Sequence, residues 1–172
     1  EKLNCPFYQL TELDVSQNIA LENLWCFNNY CLTKLNIRNN TELLILGCHY
    51  NQLTELDISQ NTKLTQLGCD NNQLAELDVR NNKALTVLDC DHNNLTKLDV
   101  SSNTALTKLN CYNNQLTELD VSKNTELKTL YCEENQLELL DVSDNAKLEV
   151  LGCRNNRLTS LDLSRTIVMN GY

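Results

Sequence analysis

Several things are scarce in this chain. One proline and four glycines in 172 residues leave no Pro- or Gly-rich linker and no low-complexity stretch, so no internal domain boundary is visible. No apolar run approaches the roughly 20 residues that cross a bilayer, and no basic, apolar and small-residue series opens the chain as a signal peptide would. No membrane span is therefore expected within it. Basic residues are few: 14 Lys and Arg stand against 23 Asp and Glu, a formal net charge of −9. Nucleic acid is thus an unfavourable partner, because binding a phosphate backbone rests on Lys and Arg. There is no glycine-rich phosphate loop, no Ser/His/Asp set and no acid pair set in a cleft, so no catalytic residues, no cofactor and no enzyme are expected. Aromatic residues make up only 5% of the chain, few enough that their placement is informative.

What the chain does contain is one phrase repeated. Leu32, Leu53, Leu74, Leu95, Leu116, Leu137 and Leu158 follow one another at intervals of 21 residues, and Leu10 stands 22 before Leu32, with one residue inserted near Tyr30 and Cys31. Within each unit L-x-x-L-x-(V/I/L/C)-x-x-N occurs twice: Leu95, Leu98, Val100, Asn103, then Leu106, Leu109, Cys111, Asn114. Alternation in x-L-x-(C/V)-x sends every second side chain inward, as in a strand, and the run is too short for a helix.

A period of this length with this motif is the signature of leucine-rich repeats, each unit coiling once and burying its leucines against its neighbours. The expected fold is a mainly β leucine-rich repeat solenoid. It should have short parallel strands in both half-turns, faces of similar width and a weakly curved right-handed coil. Residues 1–172 read as a single domain of about eight 21-residue units. The opening "EKLNC" and the closing "TIVMNGY" lack a cap, so further units are expected on the N-terminal side.

Cys5, Cys26, Cys48, Cys69, Cys90, Cys111, Cys132 and Cys153 occupy one column, and only Cys31 falls outside it. They replace the inward aliphatic and read as small buried hydrophobes. The odd count of nine excludes full disulfide pairing, and one thiol per coil in a row cannot form a zinc tetrahedron, so no metal is expected. Cys48 and His49 are adjacent in an alternating stretch and face opposite ways, which removes a Cys/His nucleophile pair. The "LTxLDVSxNT" half and the L-x-C-x-x-N half together resemble the cysteine-containing leucine-rich repeats of internalin-type bacterial surface proteins. That resemblance implies a binding scaffold on an extracellular or cell-surface protein, and it leaves the ligand open.

Comparing the copies separates two faces. In the LDV half the column after the second leucine is almost invariant: Asp14, Asn36, Asp57, Asp78, Asp99, Asp120, Asp141, Asp162. Short polar residues of this kind hydrogen-bond backbone at bends, as the inward asparagines Asn61, Asn103 and Asn124 also would. The Cys half varies instead. Its outward columns read Asn4, Trp25, Gly47, Gly68, Asp89, Asn110, Tyr131, Gly152 and Pro6, Phe27, His49, Asp70, Asp91, Tyr112, Glu133, Arg154. Both histidines and every aromatic but Tyr172 fall in or beside this half.

Three patches follow: Trp25, Phe27, His49 and Tyr50, with Gly47 making room for the indole; an acidic group of Asp70, Asp89, Asp91 and His92; and a mixed group of Tyr112, Tyr131, Glu133 and Glu134. Exposed aromatics on a rigid surface among polar neighbours are what recognition sites use. The leading expectation is a module that binds a protein or a glycan on the Cys-half face. A passive spacer, or the recognition arm of a larger enzyme, are the alternatives.

Overall fold

The computed structural model describes residues 1–167. Tyr172, the one aromatic expected off the Cys half, lies outside them. Eight three-residue strands form a single parallel sheet: β1 (Lys2–Asn4), β3 (Asn23–Trp25), β5 (Ile45–Gly47), β6 (Gln66–Gly68), β7 (Val87–Asp89), β8 (Lys108–Asn110), β9 (Thr129–Tyr131) and β10 (Val150–Gly152), in that order. Each is the x-L-x segment before a ladder cysteine. The seven turns between first and last strand make a parallel β-solenoid without a helix among the described residues. The central leucine of each inner strand, from Leu24 to Leu130, is buried, as are Cys26, Cys48, Cys69, Cys90, Cys111 and Cys132. Cys5 and Cys153, at the two ends of the stack, are only half-buried.

The two half-turns are not equivalent, which corrects the expectation of strands on both sides. In the LDV half only β2 (Glu12–Asp14) and β4 (Lys34–Asn36) pair, helped by the Lys34–Glu12 ion pair at 2.8 Å. In the later coils the Cys half keeps a full backbone ladder that runs on through the cysteine, as in Cys48 N–H to Gly68 O at 2.8 Å. The LDV half keeps one inter-coil bond per unit, such as Gln73 N–H to Leu53 O. Coils held at ladder spacing on one side only are free to part on the other. Shallow grooves lie on the LDV side, one of about 790 Å³ running from the paired strands β2 and β4 past Leu56 to Ala75 and Asp78. The LDV leucines keep a trace of exposure, 9% at Leu56 and 7% at Leu77 and Leu98, where the leucines of the inner Cys-half strands, Leu24 to Leu130, have none or almost none. The faces therefore differ in character, and the flat, regular one is the Cys half.

Two asparagine ladders seal the corners. At the LDV bends from Asn40 to Asn145 a fully buried Asn donates to two carbonyls of the preceding coil, as Asn103 Nδ2 does to Val79 O and Asn82 O, both at 2.9 Å. After every ladder cysteine but Cys5 a second Asn ties its coil to the preceding one: Asn93 Nδ2 donates to Cys69 O and to Cys90 O of its own coil, and its Oδ1 accepts the Leu74 N–H at 3.0 Å. Outward from the bends the LDV aspartates accept the N–H two residues on, as Asp99 does from Ser101 at 3.0 Å. These hydrogen bonds hold Asp14, Asp57, Asp99, Asp120, Asp141 and Asp162 below the usual carboxylate range, and Arg80 draws Asp78 down to about 2. The invariant column thus serves the backbone, as expected.

Candidate functional site

The register of the sheet builds the outward face one rung at a time. Asn4 lies opposite Trp25, Trp25 opposite Gly47, Gly47 opposite Gly68, Gly68 opposite Asp89, Asp89 opposite Asn110, Asn110 opposite Tyr131 and Tyr131 opposite Gly152. A parallel row at about 4.8 Å per rung lets each side chain lean on the next.

The first patch forms as a continuous aromatic row. Phe27 and His49 stack at 4.6 Å with their planes 5° apart, Phe7 meets Phe27 edge-on at 6.3 Å, and Tyr50 meets His49 edge-on at 5.9 Å. Phe7 was missed by the sequence reading, which treated the first unit as an end; its one available signal was its place two residues after a ladder cysteine. A Cβ built on Gly47 would meet Trp25 Cδ1 at 3.0 Å, so the indole lies over that glycine as anticipated. Two details are corrected. Strand β3 ends at Trp25, so Phe27 sits beyond it, and both rings are half-buried by their neighbours, leaving Tyr50 (46%) and Phe7 (65%) as the exposed ones.

The acidic group also comes together. One carboxylate oxygen from each of Asp70, Asp89 and Asp91 lies within 4.8 Å of the others. Asn110 Nδ2 bridges Asp89 and Asp91 at 2.8 and 2.9 Å, Lys108 Nζ is 3.5 Å from Asp89, and His92 Nδ1 is 2.5 Å from Asp91. Burial, with the neighbouring carboxylates, pushes Asp70 up and Asp91 up to about 7. The third group does not assemble as expected. Tyr112 packs edge-on against His92 at 4.9 Å and so joins the acidic group, while Tyr131 sits on the rung between Asn110 and Gly152 and Glu133 leans over Gly152 with Oε2 buried and unpartnered.

A feature the sequence reading did not find is the backbone at the exit of the Cys half. Asn28, Tyr50, Asn71, His92, Asn113, Glu134 and Asn155 all have φ between 48° and 56°, in the left-handed region. Asparagine tolerates this conformation, whereas other L-residues pay on the order of 1 kcal/mol or more. With Phe7 (φ 62°) at the same place in the first coil, four of the eight are Asn; of the four that are not, Tyr50, His92 and Glu134 each belong to one of the predicted patches and Phe7 joins the aromatic row. The signal was present in the recurring "NN" pair, whose first Asn turns the chain and whose second fills the ladder.

The inner ladder thiols are buried and hold their protons. Burial raises Cys26 and Cys111 to about 12 and Cys48, Cys69 and Cys90 well above the usual thiol range, so none is a thiolate at neutral pH.

Fold and face together define a leucine-rich repeat solenoid with one repetitive, backbone-serving side and one varied sheet face. The chain matches the family of leucine-rich repeats (2 copies) over residues 83–124. It is similar to the functional domain of InlJ from Listeria monocytogenes, which includes a cysteine ladder. That match has 40% identity and a TM-score of 0.86, and covers 96% of this chain and 42% of that one. Two further Listeria monocytogenes structures share the fold. The internalin InlF has 23% identity and TM-score 0.72 over 89% of this chain and 56% of its own; internalin C2 has 18% and 0.81 over 99% and 80%. None of the curated proteins matches the chain. It belongs to the internalin-like leucine-rich repeat proteins, and it spans less than half the length of the InlJ domain.

Proposed function

We propose that this chain is a protein-interaction module of a secreted or cell-surface bacterial protein and that it engages its partner through the Cys-half face. The observation that carries the reading is the choice of residue at the left-handed corners. Asn would serve the turn at lowest cost, yet Tyr50, His92 and Glu134 stand there, each presenting a large side chain at the rim of the varied face. A position that costs stability without helping the fold is explained by work done elsewhere. Rigid aromatic groups such as Tyr50 and Phe7 bind with little loss of conformational freedom. The suppressed thiolates of the ladder also fit an oxidising exterior, because buried protonated thiols resist disulfide exchange.

Tyr50→Asn separates binding from folding. It should leave the melting temperature at or above the parent value, since relief of the strained corner offsets the lost contact with His49, and should weaken capture of a surface-protein partner several-fold. Thr117→Lys, on the LDV half, should leave capture unchanged. Capture that survives Tyr50→Asn and fails with Thr117→Lys would place the interface on the opposite face.

A further inference from the structure

Between Trp25 and Asp89 the outward column holds Gly47 and Gly68, so two successive rungs carry no side chain. The backbones of Trp25 and Asp89 are three rungs apart, but the indole leans over Gly47, so the rung left open is Gly68, one strand spacing of about 4.8 Å from each neighbour. The result is a groove of about 400 Å³ floored by glycine backbone, with Trp25 at one end, Asp89 at the other, and His49, Tyr50 and Asp70 along the side. We infer that this groove receives an arginine side chain of the protein partner, its guanidinium lying on the Trp25 indole and bonded to the carboxylates of Asp70 and Asp89. This deepens the interaction reading given above and rests on it.

The chemistry of the walls selects the occupant. Asp70 and Asp89 offer acceptors, and no Lys or Arg lines the groove. The nearest ammonium, Lys108, reaches only Asp89, at 3.5 Å, and His49 Nδ1 stays 4.0 Å from Asp70. A guanidinium has five donors, no acceptor and a fixed positive charge; Gln66, Tyr50 and the indole N–H are donors that a sugar hydroxyl could also use, so it is the charge of the two carboxylates that selects the cation. The planar guanidinium also stacks on an indole face and forks onto carboxylates, which a lysine ammonium does less well. The open floor matters as much. A Cβ on Gly68 would meet His49 Nδ1 at 3.6 Å, Asp70 Oδ1 at 3.9 Å and Leu46 O at 4.0 Å, ordinary contacts at which a side chain fits without strain. Gly68 is therefore not required by the fold, and what its bareness preserves is the groove.

Trp25 is the only tryptophan in the chain, so its emission reports the site directly. The intact protein is titrated with N-acetyl-arginine amide, with the neutral isostere N-acetyl-citrulline amide and with N-acetylglucosamine. The arginine probe should saturate at millimolar concentration and weaken with salt, while the citrulline probe and the sugar leave the emission unchanged. Gly68→Val should abolish the response with the melting temperature retained. The double change Asp70→Asn with Asp89→Asn should weaken it about tenfold, the equivalent of one charge-assisted hydrogen bond. Equal response to citrulline, response to the sugar alone, or no response to any probe each overturns the inference; the second would assign the groove to a glycan. Should partner capture survive Gly68→Val but not Tyr50→Asn, the arginine site fails and the interaction face stands. Loss of capture with Thr117→Lys alone removes both.

Discussion

The two asparagine ladders look alike in the sequence and should respond oppositely to truncation. Asn93 is 7% exposed and Asn103 fully buried, so burial alone predicts that Asn103→Ala is the more damaging. Hydrogen bonding predicts the reverse. Removing the Asn93 amide strands the buried Leu74 N–H, whose acceptor in the structure is Asn93 Oδ1. The carbonyls of Cys69 and Cys90 each retain a donor from Asn72 and Asn114. One orphaned buried donor costs about 1–3 kcal/mol, and the lost bonds to the carbonyls about 0.5–1.5 kcal/mol each, so Asn93→Ala should cost about 3 kcal/mol.

Removing the Asn103 amide strands nothing. Val79 O still accepts the Asn82 N–H at 3.0 Å and Asn82 O the Leu85 N–H at 3.1 Å, while Asn103 Oδ1, itself buried without a partner, disappears. Asn103→Ala should therefore cost about 1 kcal/mol or less, and the lost bonds and the relieved oxygen nearly offset each other. Urea denaturation measures the difference as a shift in midpoint at constant slope. In melting temperature the pair should differ by roughly 4–8 °C, at about 2–4 °C per kcal/mol for a chain of this size. If Asn103→Ala proves as costly as Asn93→Ala, the orphan-donor argument is wrong and packing volume governs both ladders.

Other outcomes follow from the same structure. Cys31, exposed, should react with a thiol reagent in the folded protein long before the ladder cysteines, whose labelling should track unfolding; prompt labelling of Cys90 or Cys111 would contradict a buried ladder. Burial raises the folded Asp91 carboxyl to about 7, so between about pH 4 and 7 the folded state holds a proton that the unfolded state has released, and stability should fall as pH rises through that range. The LDV aspartates, held low, add a contribution that is complete above the ordinary carboxylate range and lost only as pH falls below it. The melting temperature should thus peak near pH 5, and Asp91→Asn should flatten the limb above it. Gly152→Ala would push the Glu133 carboxylate off its place over Gly152, exposing an oxygen now buried without a partner. With the strand glycine's entropy also removed, this change should stabilise by about 0.5–1 kcal/mol, and a loss of more than that would show that the Glu133 position matters to the fold.

Much of the working face was legible because neighbours in a solenoid are fixed by the period. A residue 21 positions on is the next rung, or 22 across the insertion near Tyr30 and Cys31, so Asp70 beside Asp91, and Trp25 beside Gly47, could be paired from the sequence alone. What failed were contacts that depend on where a side chain turns. Tyr112 has Tyr131 and Glu133 near it in sequence order, yet it leans back on His92, which is held by Asp91. The aromatic row at the N-terminal end gained Phe7 for the same reason, since its left-handed backbone (φ 62°) turns the ring toward Phe27.

By itself the sequence determined the solenoid, the inward leucines and cysteines, the column order and which half varies. These follow from spacing and hydrophobic period, which are properties of the chain read in one dimension. The tertiary structure decided that the second sheet of the LDV half stops after β2 and β4, because in the later coils ladder spacing is satisfied on one side of a coil and released on the other. It also decided which corners are strained and that two bare glycines leave a groove between an indole and a pair of carboxylates. Those depend on dihedral angles and on side chains of different coils meeting, which no single repeat specifies.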